Sequence, residues 1–130
     1  MFALSADAFA HGKAEHGTMM TDDVQMQKLH TMMPMFSKTC AELESAIKKN
    51  DRTTVKNCTV KMLAALPDLR ETKPHKNVKQ RKTYVEMVNK LEVAVKSTTN
   101  QINQGNSKGA KESFTMIEEM CVQCHAKFRD

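Results

Sequence analysis

Apolar side chains recur every three or four residues in four separate stretches of this chain, with polar side chains between them. This spacing is typical of amphipathic helices, which bury one face and leave the other in water. The four apolar series are Met26, Leu29, Met33, Phe36, Cys40, Leu43 and Ile47; Val55, Cys58, Met62 and Ala65; Tyr84, Val88, Leu91, Val95, Thr98 and Ile102; and Ala110, Phe114, Ile117, Cys121, Cys124 and Phe128. The pattern predicts an all-α protein with four helices.

Residues that start or stop helices mark the expected boundaries in the first half of the chain. An N-cap and negative charge at 21–23 begin the first helix, which is expected to end at about Lys49. Asp51 can cap the second helix. That helix is expected to end near Leu66, because Pro67 follows it.

The second half of the chain is divided in the same way. Two prolines and many charges in residues 67–77 predict the one long loop, and the third helix follows over about 78–104. Gly105 closes this helix, Ser107 can cap the fourth helix, and the fourth ends near Phe128. Because the first and last connections are short, the expected architecture is an antiparallel up-down-up-down four-helix bundle.

Pro34 falls inside the first predicted helix. A proline there removes a backbone donor and clashes with the preceding turn, so a kink or a local break near Met33 is expected. The kink is either a bend around the core or a feature that shapes a ligand cavity.

Composition and charge narrow the possible functions. The chain has 130 residues, which allows one domain with a modest core. Its 20 Lys and Arg residues against 15 Asp and Glu residues give a net charge of +5. The basic residues are scattered along every helix with few aromatic residues among them, which does not indicate nucleic-acid binding. They favour electrostatic steering towards a partner protein with an acidic docking surface.

The N-terminal residues indicate export. The segment Ala8-Phe9-Ala10 is typical of a signal cleavage site behind a short apolar stretch. Residues 1–10 are therefore interpreted as the remnant of an export signal, 11–20 as a flexible tail and 21–130 as the functional domain. No apolar run is long enough to span a bilayer. We expect a periplasmic protein without a membrane span, either a monomer or a homodimer.

The segment Cys121-Val122-Gln123-Cys124-His125 carries the most specific chemical signal. Two thiols can add to the vinyl groups of a porphyrin and the next imidazole can bind its iron, so C-x-x-C-H is typical of covalent haem attachment. On a helix, the spacing i, i+3 and i+4 places the three side chains on one face. The alternatives are a dithiol redox centre and a zinc site, but neither a βαβ pattern nor a second ligand pair accompanies the motif. One haem c is expected, attached through both cysteines.

The longer run CVQCHAKFR, which ends at Arg129, resembles the C-terminal signature of class II c-type cytochromes, the cytochrome c′ family. Members of this family end in C-x-x-C-H-x-x-[FY]-R on the last helix of a four-helix bundle. The chain is also similar to the soluble cytochrome b562, in which a Met-x-x-Leu begins the first helix, as Met26-Gln27-Lys28-Leu29 does here. The resemblance covers about residues 22–129.

The second axial ligand of the iron distinguishes two functions. Iron that is bound on both sides suits electron transfer, whereas an open side admits small gases. In an antiparallel bundle, the end of the fourth helix lies beside the first turns of the first helix. Met26 is the expected ligand, as the resemblance also implies; Met32, Met33, His30 or an open position are the alternatives.

The expected function is electron transfer by a c-type cytochrome whose iron is ligated by His125 and Met26. This is a carrier rather than an enzyme, because no cluster of acid, base and nucleophile accompanies the motif. The alternative is a five-coordinate cytochrome c′ that binds nitric oxide or carbon monoxide.

Other polar residues have secondary interpretations. Arg129 lies four residues after His125, on the same face, and is expected either to pair with a haem propionate or to be an exposed cation at a helix end. Cys40 and Cys58 form either a disulfide between adjacent helices or two buried thiols. His75 lies in the long loop and is expected far from the haem.

Overall fold

The computed structural model describes residues 4–130, with side chains described from residue 24 onward. The predicted export-signal remnant at 1–10 and the predicted tail at 11–20 lie outside the described side chains. Within residues 4–130 there is no strand. The helices are α1 (Leu4–Lys48), α2 (Arg52–Glu71), α3 (Arg81–Asn103) and α4 (Ser107–Phe128). The prediction of an all-α protein with four helices is confirmed.

Helix α1 begins earlier than predicted and continues through its proline. It starts at Leu4 rather than after the expected cap at 21–23. The residues before that cap include Ala, Glu, Lys and Met, which favour helix, and no proline precedes Pro34. Pro34 is exposed and α1 continues past it to Lys48, so the helix is not broken near Met33.

Helix α2 also continues through a proline. It passes Pro67 and ends at Glu71, so the predicted end near Leu66 was wrong. A proline inside a helix costs about 3 kcal/mol. The side chains of Leu66 and Leu69 are both buried in this last part of the helix. Burial of a leucine contributes roughly 1.5–3 kcal/mol, so the two together offset the cost of the proline.

Short polar side chains cap α2 and α4. The carboxylate of Asp51 accepts a hydrogen bond from the backbone N–H of Thr54 at 3.1 Å, which confirms the predicted cap. At α4, the side-chain oxygen of Asn106 accepts a hydrogen bond from the N–H of Gly109 at 2.9 Å. The prediction of Ser107 as this cap was wrong, because Ser107 is already the first residue of the helix.

Within the described residues, α1 and α3 both pack mainly against α2 and α4. The turn after α1 reaches the start of α4, where the Ser107 hydroxyl donates a hydrogen bond to Asn50 Oδ1 at 2.9 Å. The connection between α2 and α3, residues 72–80, reaches the other end of α4. There the N–H of Lys76 donates a hydrogen bond to the carbonyl oxygen of Phe128 at 3.0 Å.

The core follows the predicted apolar series most closely on α3. Every member of the α3 series is buried: Tyr84, Val88, Leu91, Val95, Thr98 and Ile102. On α1, Met33 and Cys40 are only half-buried, whereas Met32, outside the predicted series, is buried. Within the described residues, no helix combines the length and the apolar character needed to cross a membrane.

Candidate functional site

An apolar cavity of about 620 Å³ lies at the end of the molecule where the 72–80 connection meets α4. Its volume falls within the roughly 300–1,000 Å³ of typical ligand sites. All four helices and the 72–80 connection contribute to its wall. The apolar part of the wall includes Leu29, Phe36, Leu69, Val88, Leu91 and Phe128. The cavity can therefore hold a large apolar ligand.

The three motif side chains lie on one wall of this cavity. Cys121, Cys124 and His125 all line it and are all half-buried, whereas Gln123 between the cysteines is exposed. The helical spacing of i, i+3 and i+4 brings the three together because α4 is regular through the whole motif. The structure thus joins the predicted attachment residues in a single site.

Burial keeps these groups uncharged. It raises the pKa of Cys124 to about 11, and it also raises the pKa of Cys121, with a smaller effect from Glu118. The pKa of His125 is lowered, first by burial and then by the positive charge of Arg129. A neutral imidazole is the form that binds a metal ion. The α4 wall therefore presents a metal-binding nitrogen beside two protonated thiols.

This donor set fits a covalently attached haem. Two thiols can form the thioether bonds, one neutral imidazole can bind the iron, and the apolar wall suits a porphyrin. Within the described residues there is no group of three His, Cys, Asp or Glu side chains arranged to hold a metal ion. The alternative interpretation of the C-x-x-C motif as half of a zinc site therefore gains no support from that part of the chain.

The candidates for the second axial ligand fall into two groups, those that line the cavity and those that do not. Met33 and His30 line the cavity. Met32 is buried elsewhere in the core, and Met26 is half-buried; neither belongs to the cavity wall. The structure thus brings two of the alternatives to the motif and leaves the expected ligand, Met26, outside the cavity.

His75 lies in the wall of the cavity that the motif also lines, so the prediction that it is far from this end of the chain's fourth helix was wrong. Its ring lies beside that of His30, with centroids 5.5 Å apart and ring planes at 28°. The 72–80 connection is hydrogen-bonded to the last turn of α4, the helix that carries the motif. The sequence did contain an indication of this position. In an up-down-up-down bundle, the connection between the second and third helices lies at the same end as the C-terminus of the fourth helix.

Two methionines of the cavity wall are absent from the apolar series predicted from the sequence. Met87 and Met120 both line the cavity. Met87 falls three residues after Tyr84 and four before Leu91, so the helical period could have identified it. Met120 falls three residues after Ile117 and four before Cys124, so the same period could have identified it.

The two cysteines outside the motif are free thiols in the structure. Cys40 lines the cavity, and the thiol of Cys58 donates to Glu42 Oε2 at 3.9 Å instead. Burial is the main cause that raises the pKa of Cys40 to about 12, followed by the proximity of Cys121. Of the two predictions for this pair, the structure has separate thiols rather than a disulfide; Cys58 is buried and Cys40 is half-buried.

Arg129 reaches the cavity rim but is exposed and ion-paired. Its Nε donates to Asp130 Oδ1 at 2.7 Å. An exposed pair of this kind contributes little to stability and can exchange partners. The predicted contact with a haem propionate stays a prediction.

Comparisons of the chain with protein-family models, with curated proteins and with solved structures found no match. The likeness to class II cytochromes therefore stays a prediction carried by the C-terminal motif.

Proposed function

We propose that this protein is a periplasmic electron-transfer c-type cytochrome with one haem, attached through Cys121 and Cys124 and ligated by His125. The observation that carries the proposal is the placement of these three side chains on one wall of an apolar cavity. When bound, haem supplies a one-electron iron couple. The chain supplies attachment, an axial nitrogen and a site with little water.

The proposed architecture is an antiparallel up-down-up-down bundle. Two hydrogen bonds support it: Ser107 to Asn50 joins the start of α4 to the end of α1, and Lys76 to Phe128 joins the end of α4 to the connection after α2. In such a bundle α1 and α4 run in opposite directions across the cavity. Side chains of α1 then face the motif from the far wall.

Helix register favours Met33 as the second axial ligand. The cavity stretches are 29–40 on α1 and 118–129 on α4. His125 lies 129 − 125 = 4 residues from the end of its stretch, and Met33 lies 33 − 29 = 4 residues from the start of its own. With antiparallel helices these two side chains lie at the same level. The predicted ligand Met26 precedes the start of the α1 stretch, and seven residues of helix separate it from Met33, roughly 10 Å at 1.5 Å per residue.

A second candidate function is gas binding by a five-coordinate haem. The position of Met26 outside the cavity favours it, because an iron without the expected thioether would keep an open side. The thioether of Met33 in the cavity wall favours the electron carrier. The net charge of +5 supports a redox partner with an acidic surface, although this charge does not choose between the two functions.

Covalent attachment is tested with protein produced in a host that matures c-type cytochromes. We expect the haem colour to stay with the protein in acidified organic solvent, because thioether bonds survive this treatment. In the matched variant Cys121→Ala/Cys124→Ala, the colour should move into the solvent. Complete extraction from the unmodified protein would contradict the proposed attachment.

A further inference from the structure

The histidine pair at the cavity rim has a geometry suited to a shared ligand. The rings of His30, on α1, and His75, in the 72–80 connection, have centroids 5.5 Å apart and planes at 28°. Both residues are exposed to solvent. Two imidazoles bound to one metal ion at roughly 2.0–2.1 Å place their nitrogens within about 4 Å of each other. The centroid separation of 5.5 Å shows that the two rings are close enough to approach one ion.

Both imidazoles are carried by backbone that is held in place. His30 lies within α1, and Leu29 beside it is buried. His75 follows the buried Pro74, and the next residue, Lys76, donates its N–H to the carbonyl of Phe128. One residue further on, the Asn77 side chain donates to the carbonyl of Lys127 at 2.7 Å. A ligand pair that is held before binding loses little conformational entropy on binding.

We propose that His30 and His75 together bind a divalent transition-metal ion of the Zn²⁺ class at the cavity rim. Neutral imidazole suits Zn²⁺, Cu²⁺ and Ni²⁺, and water completes the coordination of a two-histidine site. The bound ion joins α1 to the connection that is hydrogen-bonded to α4. The ion thereby closes the rim of the cavity beside the motif. The site goes beyond the proposed haem function and does not require it.

The test is calorimetric titration of the purified holoprotein with Zn²⁺, followed by His30→Asn and His75→Asn. We expect one Zn²⁺ per chain, and an affinity roughly ten- to hundredfold lower in either variant, because the second imidazole acts at high effective concentration. Mg²⁺, which prefers oxygen ligands, should give no binding heat. Because both residues are exposed, helix content by circular dichroism should not change.

Two controls separate this site from other donors in the chain. His11→Asn/His16→Asn removes the N-terminal imidazoles, and Cys121→Ser/Cys124→Ser removes the motif thiols; both should keep the Zn²⁺ affinity. Affinity that is unchanged in His75→Asn, or lost in either control, would overturn the proposal. Loss of a low-spin haem spectrum in His30→Asn would also overturn it, by assigning that imidazole to the iron. If the unmodified protein, produced in a host that matures c-type cytochromes, lacks covalent haem but binds Zn²⁺ through the pair, the proposed function alone is refuted.

Discussion

At the cavity, burial sets the protonation state of individual side chains. The pKa of Cys40 is raised to about 12 and that of Cys124 to about 11, in both cases mainly because a thiolate would lose its hydration. For His125 the same loss of water acts in the opposite direction and lowers the pKa, since its charged form is the cation. One apolar environment thus keeps thiols and imidazole neutral together, which is the state that metal ligation by the imidazole requires.

The choice between two methionines is the sharpest residue-level prediction. If Met33 supplies the second axial ligand, Met33→Ala should give a high-spin ferrous spectrum and bind carbon monoxide readily. Its reduction potential should fall by on the order of 100 mV, a fraction of the roughly 0.8 V that axial ligands span. Met26→Ala is the matched control and should leave the spectrum unchanged. The reverse result, with the spectrum altered only in Met26→Ala, would contradict Met33 and support Met26, the ligand that the sequence predicted.

At the scale of helices, boundaries depend on side chains that contact the backbone or the core. α2 continues past Pro67 because Leu66 and Leu69, on either side of the proline, are both buried in the core. This burial depends on tertiary packing, which the local sequence does not reveal. The N-cap of α4 is Asn106 rather than Ser107, because the turn before the helix places the Asn106 side-chain oxygen opposite the free N–H of Gly109. Gly105, at φ 75°, supplies the left-handed backbone that makes this turn possible.

The α4 cap gives a prediction about stability. Asn106→Ala should lower the free energy of unfolding by ~1 kcal/mol, because the N–H of Gly109 loses its acceptor. Ser107→Ala is the matched control; it removes only an exposed hydrogen bond to Asn50 and should cost less. Urea unfolding of both variants measures the difference. Equal losses in the two variants would show that the cap at Asn106 is not the stabilising contact.

For the whole molecule, the core joins helices through buried hydrogen bonds as well as apolar contacts. The Tyr84 hydroxyl donates to the carbonyl oxygen of Leu69 at 3.0 Å and lies 2.9 Å from the Thr72 hydroxyl. The same ring packs edge-on against Phe128, with centroids 5.1 Å apart. One residue of α3 therefore contacts the end of α2 and the end of α4, next to the cavity. No buried side-chain nitrogen or oxygen within the described residues lacks a partner.

The raised thiol pKa values predict a loss of stability at alkaline pH. A thiol whose pKa is higher in the folded state stabilises the fold fully below its unfolded value, 9.0 for cysteine, and loses this contribution as pH rises through the folded value. For Cys40 this interval is from about 9 to about 12. The free energy of unfolding should therefore fall across that range more steeply in the unmodified protein than in Cys40→Ser. Parallel curves for the two proteins would contradict the raised pKa.

Local and periodic features of the sequence were sufficient for the number of helices and for the shared face of the motif, although not for the start of α1, the end of α2 or the cap of α4. The apolar period places Tyr84, Val88 and Ile102 in the core, and all three are buried. Helical spacing alone predicts that Cys121 and His125 share a face, and both line the cavity. These predictions succeed because they depend on distances within a single helix, which the backbone geometry determines.

Only the tertiary structure decided which residues from distant parts of the chain meet. It places Met33 rather than Met26 in the cavity wall, brings His75 beside His30 and puts Cys40 in the cavity wall as a free thiol. The axial register of α1 against α4 and the path of the 72–80 connection arise from side-chain packing and from hydrogen bonds across the chain. No periodic pattern encodes such a register, because a shift by one helical turn preserves the same apolar face while it changes every partner across the cavity.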